Sequence, residues 1–129
     1  MFVSDVSGLQ FFARKFAGRL HAPQVVALHG DLGVGKTEFA RAIVQELKGC
    51  STVVPSPTFT LVQEYDDISH FDLYRLKNIS ELDEIGFFDA IQENIVLIEW
   101  PEIAEKFLPK NTVHVYISVS GNGREIDIK

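Results

Sequence analysis

The chain has 129 residues, enough for one compact domain and too few for two of ordinary size. Hydrophobic residues make up 46% and the net charge is −6, which excludes a disordered chain and one that grips nucleic acid unaided, because neutralising phosphates takes an excess of Lys and Arg. A lone cysteine, Cys50, excludes an internal disulfide and a multi-cysteine metal cluster; no apolar run approaches the ~18 residues of a membrane span, Met1 to Gly8 lacks the basic opening of a secretory signal, and a cytoplasmic setting is expected.

Taken in chain order, Ser7 is expected to cap a helix over Leu9 to Leu20, with Leu9, Phe12, Ala13, Phe16 and Leu20 on its apolar side. Pro23 breaks the chain before Val25, Val26, Ala27 and Leu28, a run that reads as a strand buried on both faces. A glycine loop follows. The next amphipathic helix carries Phe39, Ala40, Ile43, Val44 and Leu47, and Gly49 stops it. Thr58 to Tyr65 alternates as a strand does, and Asp66-Asp67 turns it into a partner, Ile68 to Leu73. Short helices are expected from Ser80 to Ile85 and from Phe87 to Gln92. Ile95 to Ile98 forms a second fully apolar strand, ended by Glu99, Trp100 and Pro101. A short helix near Pro101 to Phe107 comes next. Thr112 to Ser120 pairs with Arg124 to Ile128 across the turn Gly121-Asn122-Gly123. Apolar strands interspersed with amphipathic helices predict one α/β domain over residues 1–129. Its central sheet is expected to be mostly parallel, flanked by helices and extended by an antiparallel hairpin.

Residues 30 to 37 read Gly-Asp-Leu-Gly-Val-Gly-Lys-Thr and satisfy G-x-x-x-x-G-K-[ST] at every fixed place. The glycines let the backbone turn with its N–H groups inward, and the helix beginning near Lys36 adds the positive end of its dipole. The candidate nucleotide-binding residues are Asp31, Leu32, Gly33, Val34, Gly35, Lys36, Thr37 and Glu38. Lys36 supplies a mobile charge for the β- and γ-phosphates, and the Thr37 hydroxyl suits Mg²⁺. A dinucleotide fingerprint would need glycine at position 38, which is Glu38. The guanine signature Asn-Lys-x-Asp does not occur, which favours ATP.

Magnesium beside a triphosphate needs a carboxylate at a neighbouring strand end, directly or through water. Two candidates stand: Glu99, ending the apolar strand Ile95 to Ile98, and Asp72, within His70-Phe71-Asp72-Leu73-Tyr74-Arg75. Each has an ordinary surface carboxylate as its alternative, and Glu99 is the stronger of the two candidates. With Lys36 they make up the candidate catalytic set, and with Thr37 the candidate metal set. Thr58, in Ser56-Pro57-Thr58-Phe59-Thr60, is placed to sense the γ-phosphate, but from the residues alone a proline turn with strand-forming threonines is the favoured reading. Trp100 packs on nucleotide or partner, or else is a core aromatic. His21, His29, His70 and His114 are too scattered for a metal triad and are given no catalytic role. Arg75 is the best internal candidate for an arginine finger, although a structural role is its favoured reading.

Four blocks together carry a resemblance: the loop Gly30 to Thr37; Ser56 to Val62 with Glu64-Tyr65; His70-Phe71-Asp72-Leu73-Tyr74-Arg75-Leu76; and Ile98-Glu99-Trp100-Pro101-Glu102. In that order, over roughly residues 25 to 105, they resemble the bacterial TsaE family, also called YjeE. The resemblance implies an ATPase needed for threonylcarbamoyladenosine formation in tRNA. It implies action on a complex of TsaB and TsaD homologues, with tRNA met only through that complex. It also implies that Lys36 and Thr37 hold phosphate and Mg²⁺, that Thr58 belongs to a switch-like loop, and that Asp72, Glu99 and Trp100 lie at the nucleotide or partner face. Glu38 stands where the family often has a second Thr, and the C-terminus is short. The alternatives weighed are a small-molecule phosphotransferase, for which no clustered arginine lid is visible, and a non-hydrolytic nucleotide-gated adaptor.

Overall fold

A computed structural model describes residues 1–49, 51–55 and 61–129. Seven strands form one sheet in the order β1-β7-β6-β2-β5-β4-β3. They are β1 (Phe2–Val3), β2 (Gln24–His29), β3 (Val62–Tyr65), β4 (Ile68–Asp72), β5 (Ile95–Glu99), β6 (Val113–Ser120) and β7 (Gly123–Ile128). The central strands β6, β2, β5 and β4 run parallel, whereas β1, β7 and β3 add antiparallel edges. The expected mixed α/β sheet with a parallel core and a β6–β7 hairpin is therefore present.

Parallel strands buried on both faces read as near-continuous apolar runs, and Val25 to Leu28 of β2 and Ile95 to Ile98 of β5 are such runs. Alternation along β2 splits the core in two. Val26 and Leu28 face helices α1 (Val6–Ala17) and α2 (Lys36–Lys48), where Phe16 and Phe39 lie buried with their ring centroids 5.9 Å apart. Val25, with Val96 and Ile98 of β5, faces α3 (Ser80–Glu84), α4 (Phe87–Glu93) and a 3-10 helix at Pro101–Phe107. On that side Phe71 meets Phe87 edge-on at 5.3 Å, a favoured aromatic geometry.

Several expectations need correction. Helix α1 begins at Val6 because Asp5, not Ser7, is its cap: Asp5 Oδ1 accepts the Gly8 N–H at 2.8 Å. Gly18 ends that helix, so Leu20 lies beyond it. Strand β1 was not foreseen; two residues carry no period, and it exists only by pairing with β7. Strand β4 ends at Asp72 rather than Leu73; the short helix expected over Pro101 to Phe107 is present, as a 3-10 helix. Within the predicted strand Thr58 to Tyr65, Val62–Tyr65 is a strand, Leu61 has a φ of 69°, and Thr58 to Thr60 lie outside the described residues.

The sheet register assembles the site. Leu28 of β2 lies opposite Glu99 of β5, and Glu99 lies opposite Asp72 of β4. After β2 the chain enters the glycine loop and α2; after β5 it crosses back over β2 to reach β6. Such a reversal opens a crevice at the carboxyl ends of the strands, the ordinary ligand position in an open α/β sheet.

Candidate functional site

The glycine loop leaves β2 at His29 and becomes helical at Lys36. Gly35 caps α2 in a left-handed conformation, φ 117°, and no side chain satisfies the first N–H groups of the helix. Those amides, with the helix dipole behind them, form an anion cradle. The loop's tip, Leu32, is 76% exposed, while Val34 is buried. Arg124 of β7 donates Nε–H to the Val34 carbonyl at 2.9 Å and so ties the loop to a strand two places from β2 in the sheet.

A cleft of about 220 Å³ opens in front of this cradle, with Gly33, Lys36, Thr37, Asp72, Glu99 and Trp100 on its walls. Lys36 is only 4% exposed. Its ammonium donates to the Gly30 carbonyl and, at 3.2 Å, to the Asp31 carbonyl. It also lies 3.5 Å from the centroid of the Trp100 ring, a cation–π contact. Burial pushes the Lys36 pKa below its ordinary value, opposed by Glu99, Glu102, Asp72 and Asp31. Trp100 itself takes a φ of 56° immediately before Pro101. A left-handed conformation costs a non-glycine residue about 1–3 kcal/mol, and here it turns the indole over Lys36 and against Tyr74, 4.7 Å away.

Thr37 and Glu99 face each other across the cleft. The Thr37 hydroxyl donates to both carboxylate oxygens, at 2.8 and 2.9 Å. Asp72 Oδ1 accepts the Tyr74 N–H at 3.0 Å. Both carboxylates are buried, at 3% and 5% exposure. No group of three or more His, Cys, Asp or Glu side chains able to cage a metal occurs among the described residues. The oxygen donors Thr37, Glu99 and Asp72 nevertheless suit Mg²⁺, which characteristically takes one or two protein oxygens and completes its shell with water and phosphate. Glu38, in the first turn of α2, pairs with Arg41, so its charge beside the cradle is partly met.

Of the residues read from sequence, the cleft brings together Leu32, Gly33, Gly35, Lys36, Thr37, Glu38, Asp72, Glu99 and Trp100. Asp31 contributes its backbone carbonyl to Lys36, and Val34 faces a second cavity. Thr58, like Cys50, falls outside the described residues. Arg75 is exposed and not on the cleft wall.

Sequence reasoning missed two features. The second cavity, about 390 Å³, shares Gly33, Gly35 and Glu38 with the cleft and adds Asp5, Val6, Leu9 and Arg124. It joins the first helix to the last strand, so no local motif announces it. The other is His70, whose Nε2 lies 2.7 Å from Glu99 Oε2. Its two-residue offset from Asp72 on a strand, which puts both on one face, was the available signal.

A strand, a glycine loop and a helix N-terminus at the carboxyl end of a parallel sheet, with acidic strand ends beside them, define the P-loop NTPase fold. The crystal structure of YdiB from Bacillus subtilis superposes with a TM-score of 0.78 over 98% of this chain and 80% of that one, at 29% identity. The family model "Threonylcarbamoyl adenosine biosynthesis protein TsaE" matches residues 3–126. The chain is 40% identical over 119 residues to the tRNA threonylcarbamoyladenosine biosynthesis protein TsaE of Rickettsia prowazekii, covering 89% of this chain and 83% of the relative. It is 38% identical to that of Haemophilus influenzae, covering 98% and 86%. The chain belongs to the TsaE family, a family of tRNA threonylcarbamoyladenosine biosynthesis.

Proposed function

We propose that this protein is a magnesium-dependent ATPase switch for threonylcarbamoyladenosine formation in tRNA, acting in the cytoplasm on a complex of TsaB and TsaD homologues. One observation carries the reading: Lys36, Thr37, Asp72 and Glu99, from three different elements, line one cleft before an uncapped helix N-terminus. The loop amides and Lys36 hold the β- and γ-phosphates. Thr37, with Glu99 and Asp72, holds Mg²⁺ directly or through water; the ion supplies charge neutralisation of the phosphates when bound. The cavity at Asp5, Val6 and Arg124 is continuous with the cradle and part apolar, which suits the adenosine end. Trp100 covers the phosphate side.

Solitary turnover is slow in this reading, roughly 10⁻⁴ to 10⁻² per second as in P-loop sites that lack a partner's help. The partner complex changes it. Calorimetry on the pure protein is expected to detect Mg–ATP uptake, and Lys36→Ala to abolish it together with activity in a reconstituted tRNA-modification assay. Absence of binding by the wild type, alone and with TsaB and TsaD homologues, defeats the proposal. If Glu99→Ala and Asp72→Ala leave modification intact while Lys36→Ala abolishes it, the protein is a nucleotide-gated adaptor and not a hydrolysing switch.

A further inference from the structure

Strand β4 buries a histidine that the nucleotide reading leaves without a task. His70 has no exposed surface. Its Nε2 lies 2.7 Å from Glu99 Oε2. A carboxylate only accepts, so Nε2 is the nitrogen that carries the hydrogen. The other ring nitrogen, Nδ1, is equally buried and has no hydrogen-bond partner among the described residues. A leucine or phenylalanine would fill this place in the sheet without burying an unsatisfied nitrogen. The contact that accounts for histidine here is the one from Nε2 to Glu99.

Glu99 therefore receives donors from two sides. Thr37 of α2 approaches from the cradle, and His70 of β4 approaches from within the sheet. A glutamate rotates about three side-chain bonds, and a single hydroxyl restrains it weakly. The ring, held rigid by the buried strand, removes that freedom. We propose that His70 is a positioning residue, which donates Nε2–H to Oε2 of Glu99 and presets the carboxylate toward Thr37 for the metal-bearing nucleotide. The proposal rests on the reading of Glu99 as the magnesium-side carboxylate. Outer hydrogen-bond partners of this kind change metal affinity or activity about 10–100-fold when removed.

Two measurements test it. Nitrogen-15 NMR of the wild-type histidine rings, without nucleotide, is expected to show His70 protonated at Nε2 and bare at Nδ1; a hydrogen on Nδ1 alone overturns the proposal. Then His70→Leu, His70→Gln and His70→Asn are compared, with the single tryptophan, Trp100, as a fluorescent reporter of the cleft. Magnesium is added stepwise at fixed ATP. His70→Leu is expected to raise the magnesium needed for half-saturation about 10–100-fold, with metal-free ATP binding unchanged. Gln, whose amide nitrogen reaches the Nε2 position, restores the wild-type requirement; Asn, one carbon shorter, does not. Equal losses of metal-free and metal-dependent binding in all three variants mark a packing role and overturn the proposal. Should the wild type bind no Mg–ATP, the functional reading fails, and the ring NMR still decides whether His70 donates to Glu99.

Discussion

At Gly30 a Cβ would stand 2.5 Å from the Ile117 carbonyl oxygen and 2.7 Å from Val34 Cγ2, on a backbone with φ of 151°. The first of those neighbours is main chain of a central strand and cannot give way. At Gly33 the same added atom meets nothing within 4 Å, so only the left-handed φ of 80° resists substitution. Gly30→Ala is therefore expected to lose about 1–3 kcal/mol to steric overpacking on top of its backbone strain. Gly33→Ala should lose only about 1–2 kcal/mol, the left-handed cost. Urea unfolding checks this: both midpoints fall with unchanged slope, and Gly30→Ala falls further. The motif's spacing makes both glycines visible in the sequence but treats them alike. What separates them is Ile117, 84 or more positions along the chain, which no local pattern reveals. The carboxylates differ in the same way. Their place at expected strand ends made Glu99 and Asp72 candidates, whereas the donors on Glu99, Thr37 and His70, come from tertiary structure and the Tyr74 amide reaches Asp72 locally, two residues on.

Elements with strong periodicity and clear punctuation were legible. Strands β2 and β5 declare themselves through the apolar runs Val25 to Leu28 and Ile95 to Ile98, and α2 lies between a glycine loop and Gly49. Boundaries set by a single hydrogen bond were not. Asp5 and Ser7 are both capping residue types, two positions apart, and only geometry shows that Asp5 closes onto Gly8. Asp5→Ala is expected to lose about 0.5–2 kcal/mol, while Ser7→Ala stays within about 0.5 kcal/mol of the wild type; thermal unfolding of the two variants distinguishes them. Because Asp5 also lines the cavity assigned to adenosine, its loss should weaken Mg–ATP binding too, whereas Ser7→Ala should not. The stretch after Trp100 is legible as a short helix, but its 3-10 winding is not, because i+3 and i+4 spacing look alike over two turns. The turn at Trp100, with its left-handed φ ahead of proline, has no sequence signature at all.

For the whole molecule, ligand and proton act on stability through groups gathered from several elements. If Mg–ATP binds only the folded chain, a concentration 100-fold above its Kd adds about 2.7 kcal/mol. That increment should be absent from Lys36→Ala. The proton enters at His29, the last residue of β2. Its Nε2 lies 2.9 Å from His114 Nδ1 of β6, and its ring stacks on Tyr116 at 4.4 Å. Burial lowers the His29 pKa, as do His114 and Lys36; Glu102 and Glu105 of the 3-10 helix oppose the shift without cancelling it. The unfolded chain thus takes up a proton at the ordinary histidine value, near 6.5, while the folded chain still resists it. Unfolding then gains protons, so stability is fully present above that pH and is lost as pH falls through the lower folded value. Asp67, paired with Lys48 at 2.5 Å, has its pKa lowered mainly by that hydrogen bond. Its contribution has the same sign, but the window lies below the ordinary carboxylate range, and salt should weaken it because the pair is exposed. Urea midpoints measured from pH 8 to pH 5 should therefore decline below about 6.5, at low and high salt alike. His29→Gln should flatten that decline, and Asp67→Asn should leave it in place. A decline of equal slope in His29→Gln would show that another group governs the acid response.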